Sequence, residues 1–252
     1  MSEAYLRRLG FPAGVEGPTA ATLRALHLAH LRRIPFENLD IHLGVPITLD
    51  VDRVVDKLTA RRRGGFCYEL NGAFAVLLED LGFGVERLEA RVLGDDGEPG
   101  IPFDHLVLRV EAEGEPFLVD VGFGDNFDEP LPFVTATDLE DPAGTFRIDE
   151  RADGAFDLLQ DGEPQHRFWP TPRALGDFAP GCEFHQTSPE SHFTSGPVCT
   201  RRTPSGRVTL RRRQLIVTLG DERDEREVDD LVDAYRRLFG IDLTVEETAR
   251  LA

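Results

Sequence analysis

The sequence predicts an α+β fold, and three observations predict it. Apolar residues recur at helical spacing through the first third of the 252-residue chain. From residue 84 the pattern becomes short alternating or β-branched runs, separated by Gly, Pro and Asp turns. From residue 206 two further strand-like runs give way to helical spacing again. No internal repeat or low-complexity tract interrupts this order.

In chain order, Pro18-Thr19 signals a helix start, and Leu23, Leu26, His27, His30 and Leu31 follow at helical spacing over 19–32. Pro35 stops that helix. Residues 51–61 read as a second helix and 67–81 as a third, ending at Gly82. Strands are expected over 84–93, 104–112 and 116–122, with turns around Gly94-Asp95-Asp96-Gly97 and Glu113-Gly114-Glu115-Pro116. Shorter strand-like pieces occupy 145–149 and 155–159. Beyond residue 206 come the strands RVTLRR and QLIVTL, an acidic turn around Gly220-Asp221-Glu222, and helices near 227–239 and 245–251. The Asp/Glu-rich segment 221–230 reads as a solvated helix start.

Composition narrows the function classes. At 40% apolar and 29% charged the chain is globular rather than disordered. A net charge of −18 argues against general nucleic-acid binding, though a small anion responds to local fields. No stretch approaches the roughly 18 apolar residues of a membrane span, and MSEAYLRRLGF lacks a signal-peptide pattern. Three widely spaced cysteines do not make a disulfide framework, so a reducing, cytoplasmic compartment is expected.

Three residues stand where the local pattern asks for something else. Cys67 follows Gly64 and Gly65 and opens the helix 67–81. There the free N–H groups and the positive helix end are expected to lower its pKa and favour a thiolate. His105 opens the strand HLVLRV, ordinarily a surface or capping position. Asp120 interrupts the apolar run FLVDVG, where a carboxylate is costly unless paired. It also suits a turn start before Gly122 and Gly124. His105 and Asp120 are joined by a single turn, and antiparallel pairing places Asp120 opposite residues near 108. An Asp-oriented imidazole able to deprotonate Cys67 would be nucleophilic acyl-transfer chemistry. Cys182 and Cys199 read as structural thiols.

Arg63-Gly64-Gly65-Phe66-Cys67-Tyr68-Glu69, His105-Leu106-Val107 and Val119-Asp120-Val121-Gly122-Phe123-Gly124 together strongly resemble the arylamine N-acetyltransferases. Ile34-Pro35-Phe36-Glu37-Asn38-Leu39, Thr187-Ser188-Pro189-Glu190-Ser191-His192-Phe193-Thr194 and Thr203-Pro204-Ser205-Gly206-Arg207-Val208 extend the likeness over nearly the whole chain. The resemblance implies a cysteine-protease-like core in three parts. These are an N-terminal helical bundle (1–84), a central antiparallel β-barrel (85–192) and a C-terminal α/β lid (193–252). It implies a Cys67–His105–Asp120 triad and ping-pong transfer from acetyl-CoA to an arylamine, hydrazine or N-hydroxyarylamine, without a metal. It implies CoA contacts at Gly122, Gly124 and Thr218, acceptor contacts at Phe36 and Phe123, and an architectural ion pair between Arg63 and Glu37. Arg211, Arg212 and Arg213 read as a solvated face. Asp125 departs from the family pattern, standing where many relatives continue with glycine, unhelpfully for a polyphosphate. Rival expectations are an amide synthase of the same family, a transglutaminase- or papain-like enzyme, and a non-catalytic ligand binder.

Overall fold

The computed structural model describes residues 2–94, 96–220 and 222–252. Asp95 and Asp221, inside two expected turns, lie outside the described residues. The helices are α1 (Ser2–Leu9), α2 (Ala20–Arg33), α3 (Leu39–Leu43), α4 (Val51–Thr59) and α5 (Cys67–Asp80). Thr19 caps α2 by accepting from the Thr22 N–H, and Asp50 caps α4 through Arg53 N–H. α5 is apolar nearly all round, because both it and its neighbours are buried.

Among the described residues the strands form two antiparallel sheets. The larger has eight strands: β2 (Gly84–Val92), β3 (His105–Ala112), β4 (Glu115–Val119), β5 (Leu131–Pro132), β6 (Asp138–Asp141), β7 (Gly144–Glu150), β8 (Phe156–Gln160) and β9 (Glu163–Arg173). Their order is β5-β4-β3-β2-β9-β8-β7-β6. The sheet curls around Leu88, Val107, Leu118, Phe146, Ile148 and Phe168, and residues from both ends of that order, Leu131 and Leu139, pack on this one core. It is a nearly closed barrel. α5 packs against the outside of β2 and β3.

The smaller sheet joins distant parts of the chain. β1 (Phe36–Glu37) pairs with β10 (Val198–Thr203), followed in order by β11 (Gly206–Arg211), β12 (Gln214–Leu219) and β13 (Glu222–Glu227). Phe36 stands opposite Thr200, and Glu37 opposite Cys199. α6 (Ala179–Thr187) packs near the loop that precedes β10. α7 (Leu231–Ala234), continued by a π turn over Tyr235–Phe239, and α8 (Val245–Leu251) complete the second core with α3.

β13 corrects one expectation. The acidic segment was expected to begin a helix; instead Glu222–Glu227 is an edge strand whose six residues are all exposed, paired along β12. Its six residues are all charged, and charged side chains are what an exposed sheet edge tolerates. The helix begins only at Leu231, where Asp230 accepts the Asp233 N–H.

Candidate active site

The turn into α5 is shaped by close packing. A Cβ on Gly64 would lie 1.9 Å from the Pro35 carbonyl oxygen, so only glycine fits beside β1. Gly65 O accepts the Glu37 N–H at 2.9 Å. Glu69 Oε2 reaches back to the Phe66 N–H at 3.2 Å, closing the first turn as N3 carboxylates do. Cys67 is thereby fixed as the first helical residue, 3% exposed.

The β3–β4 register then delivers the histidine and the aspartate. Leu108 pairs with Val119, which puts Asp120 at the end of β4, opposite residue 107. His105 Nε2 lies 2.8 Å from Asp120 Oδ2, and the carboxylate can only accept, so the nitrogen donates. The carboxylate also accepts from Asn71 Nδ2 at 2.8 Å, Gly122 N–H at 2.8 Å and Asn126 Nδ2 at 3.2 Å. Asn71 sits one turn beyond Cys67 on the same face of α5. It also donates to Leu106 O and accepts the Val121 N–H, stitching the helix to both strands. With four donors, the fully buried Asp120 is held ionised, its pKa lowered to about 2: burial opposes the charge, and His105 outweighs it. His105 uses Nε2 on Asp120, leaving Nδ1 as its second functional nitrogen.

A second buried assembly supports the same turn. Arg63 Nε and Nη2 donate to Glu37 at 2.9 and 3.0 Å, a bidentate contact. Arg63 also meets Asp40 at 2.9 Å, and Lys57, the sole lysine, bridges Asp40 at 2.8 Å and Glu69 at 2.7 Å. Burial opposes the charge on Glu37, yet Arg63, Lys57 and N–H donors lower its pKa to about 2. The structure thus brings Arg63 and Glu37 together within a five-membered network. Sequence reading missed Lys57, Asp40 and Glu69, since nothing in their local pattern marks them as buried.

Two clefts border the segment that follows Asp120. One, of about 230 Å³, is lined by Phe36, Phe123, Gly124, Asp125, His192 and Phe193 among others. Phe123 stands edge-on to the His105 ring at 5.3 Å, and Phe36 lies 6.0 Å from Phe193. The other, of about 640 Å³, is lined by residues that include Asp125, Asp128, Arg202, Arg207 and Thr218. Gly122 is placed differently. Its N–H is committed to Asp120, and a Cβ there would come within 2.8 Å of Cys67 Cα, so the glycine serves the fit against α5. Gly124, at φ +94°, lies on the smaller cleft.

The sequence model of a family described as N-acetyltransferase matches residues 19–248. An arylamine N-acetyltransferase from Mycolicibacterium smegmatis is 36% identical over 251 residues, covering 95% of this chain and 91% of that protein. The chain belongs to the arylamine N-acetyltransferase family. A solved M. smegmatis arylamine N-acetyl transferase superposes with a TM-score of 0.91 at 36% identity, covering 99% of this chain and 96% of the other. The Mycobacterium marinum arylamine N-acetyltransferase solved in complex with CoA gives 0.90 at 34%, covering 100% and 98%. Among the described residues no helix is long and apolar enough to cross a membrane.

Within this arylamine N-acetyltransferase fold, the expected low thiol pKa is overturned. Burial pushes Cys67 well above the ordinary thiol value, Asp104 and Asp120 add to this, and the Leu106 N–H that bonds the sulfur works against it. Burial also raises Cys182, to about 12, and Cys199. A helix start is visible in sequence; the depth at which it is buried is not. Nor did sequence reading find His166 on β9, fully buried, with ring centroids 5.5 Å from His105 and 5.4 Å from Phe123. Neither of its ring nitrogens has a hydrogen-bond partner among the described residues, and burial lowers its pKa to about 3. His192 and Phe193 were quoted within a motif without a role, and they line the smaller cleft.

Proposed function

We propose that the protein transfers the acetyl group of acetyl-CoA to aromatic amines and hydrazines through an acetyl-thioester on Cys67. A free thiolate is disfavoured at so buried a site. The thiol proton therefore passes to His105 Nδ1 as the sulfur attacks the thioester carbonyl, and Asp120 stabilises the resulting imidazolium. The tetrahedral intermediate collapses, the bond to the CoA sulfur breaks, and the imidazolium returns its proton so that CoA leaves as a thiol. The acceptor nitrogen then attacks the Cys67 thioester, gives its proton to His105, and departs as the amide while the thiol is restored. An N-hydroxyarylamine oxygen is a competent nucleophile at the same carbonyl.

In this reading residues 1–84 supply the nucleophile, 85–192 the histidine and aspartate, and 193–252 the cover. Phe36 and Phe123 face the acceptor ring, and Gly124 and Thr218 face CoA. What carries the proposal is the 2.8 Å His105–Asp120 contact, with its carboxylate saturated by neutral donors, stitched by Asn71 to the helix that begins at Cys67.

The test is CoA release from acetyl-CoA with and without a hydrazine, together with the intact mass of the protein. Slow release alone, acceleration by the hydrazine and an added acetyl group on the wild type are expected, with none of these in Cys67→Ala. Equal CoA release by wild type and Cys67→Ala would end the proposal.

A further inference from the structure

Two Arg–Asp pairs stand side by side on the larger cleft, both linking the segment after β4 to the β10–β11 hairpin. Arg202 pairs with Asp128, and Arg207 Nη2 pairs with Asp125 Oδ1 at 2.5 Å. The arginines are alike in burial, with side chains 13% and 11% exposed. The aspartates are not: the Asp128 side chain is 8% exposed and that of Asp125 is 71% exposed. Asp128 is locked into the fold, whereas Asp125 lies over its arginine from solvent. Such an exposed carboxylate contributes little to its pair, because water competes for it.

Arg207 is the more consequential of the two cations. It lines both clefts, the one bounded by Phe36 and Phe123 and the one bounded by Thr218, and it stands opposite Thr218 in the β11–β12 register. Among the described residues Asp125 is the one carboxylate in ion-pair contact with it. A guanidinium in a half-dry wall, capped by a displaceable carboxylate, is suited to exchange that cap for a ligand anion. In a chain of net charge −18, a polyanionic donor needs such a local cation.

We propose that Arg207 is a phosphate-binding residue for the acyl donor and that Asp125 is its built-in competitor, displaced when the donor binds. The assignment rests on the acetyl-CoA reading above. The departure that looked unhelpful to a polyphosphate thereby acquires a consequence: Asp125 weakens donor binding and speeds the release of CoA. The larger cleft has room for a phosphate beside Arg207, with Ser205 and Thr218 on its wall.

The experiment compares acetyl-CoA with p-nitrophenyl acetate, a donor without phosphate, in acetylating Cys67. In Asp125→Asn the ratio of kcat/KM for acetyl-CoA to that for p-nitrophenyl acetate rises about fivefold, the worth of one exposed ion pair. In Arg207→Gln the ratio falls by about tenfold or more. CoA binding followed by calorimetry tightens in the first variant and weakens in the second. Arg207 is half-buried, so the exposed Asp125→Asn carries the test if Arg207→Gln folds poorly. An unmoved ratio in Asp125→Asn overturns the inference. So does an effect confined to 4-aminobenzoate relative to aniline, which would assign Arg207 to an acceptor carboxylate. If neither donor acetylates Cys67, the acetyltransfer reading itself fails; if both do and the ratio is constant, only this inference fails.

Discussion

Residues two apart on a helix are about 200° around its axis, so Cys67 and Glu69 open α5 on nearly opposite faces. On the Cys67 face, one carboxylate, Asp120, is held by a histidine, two asparagine amides and a backbone N–H. On the Glu69 face, three carboxyl groups share two cations, Arg63 and Lys57. Both assemblies are buried, but only the first is built from neutral donors. Neutral donors stabilise a charge without fixing where the proton next to it must reside, so the first assembly leaves the His105 imidazole open to proton exchange. Permanent cations allow no such exchange. They brace a turn.

This contrast is open to direct attack, and the largest effect is expected at Asp120. Asp120→Asn preserves size but turns one of the two accepting oxygens into a donor, so two of the four hydrogen bonds are lost together with the charge expected to stabilise the imidazolium, and single-turnover CoA release falls by about 10³-fold or more. Its Tm is expected to fall less than that of Arg63→Met; an equal or larger drop would make Asp120 a brace as well. Arg63→Met leaves Glu37 and Asp40 without their shared cation and lowers the unfolding free energy by about 3–5 kcal/mol in denaturant titrations. Adding Glu37→Leu recovers part of that loss. A single Arg63→Met within about 1 kcal/mol of wild type would show that the network braces nothing.

Acid provides a smaller, shared perturbation. Folding depresses the pKa of Glu37 and Asp120 to about 2, below their ordinary carboxyl values. Their contribution to stability is therefore fully present above the ordinary carboxylate range and is lost as pH falls towards about 2. Acid unfolding followed by circular dichroism is expected in that window, and Arg63→Met shifts its onset upwards. The smallest effect is expected at His166. Replacing it by Phe removes two unpaired ring nitrogens, leaves stability unchanged within about 1 kcal/mol or raises it, and leaves the acid limb of activity above pH ~5 unmoved. A shifted limb would tie His166 to the proton chemistry of His105.

The sequence made some of this legible for identifiable reasons. One tight turn separates β3 from β4, so counting outward from it brings His105 and Asp120 within a residue of their true register. The glycines before Cys67 and the apolar run after it announced α5. The five-charge network was invisible beyond Arg63 and Glu37, because burial of Lys57, Asp40 and Glu69 is a property of packing between α3, α4 and α5. The thiol pKa was misjudged for the same reason. β13 was misread because its acidic composition suggested a helix start, whereas pairing with β12 decided its conformation. Arg207 sat inside a quoted motif, yet its partner across the clefts emerged only when two distant segments were seen in contact.

β1 is only two residues long, yet its neighbours in sequence face different duties. Phe36 lines the smaller cleft, and Glu37, adjacent in the chain, anchors Arg63 and receives the Gly64 N–H. Efforts to retune substrate choice by redesigning Phe36 therefore act on the same strand that holds the turn before Cys67. Selectivity altered there is coupled to foldedness, and its variants will be filtered by stability before they are sampled for activity. On the other wall Phe193 packs edge-on against Phe66 in that same turn, whereas the exposed His192 carries no such burden. It is the part of the pocket from which new acceptor preferences are most accessible to selection, natural or in the laboratory.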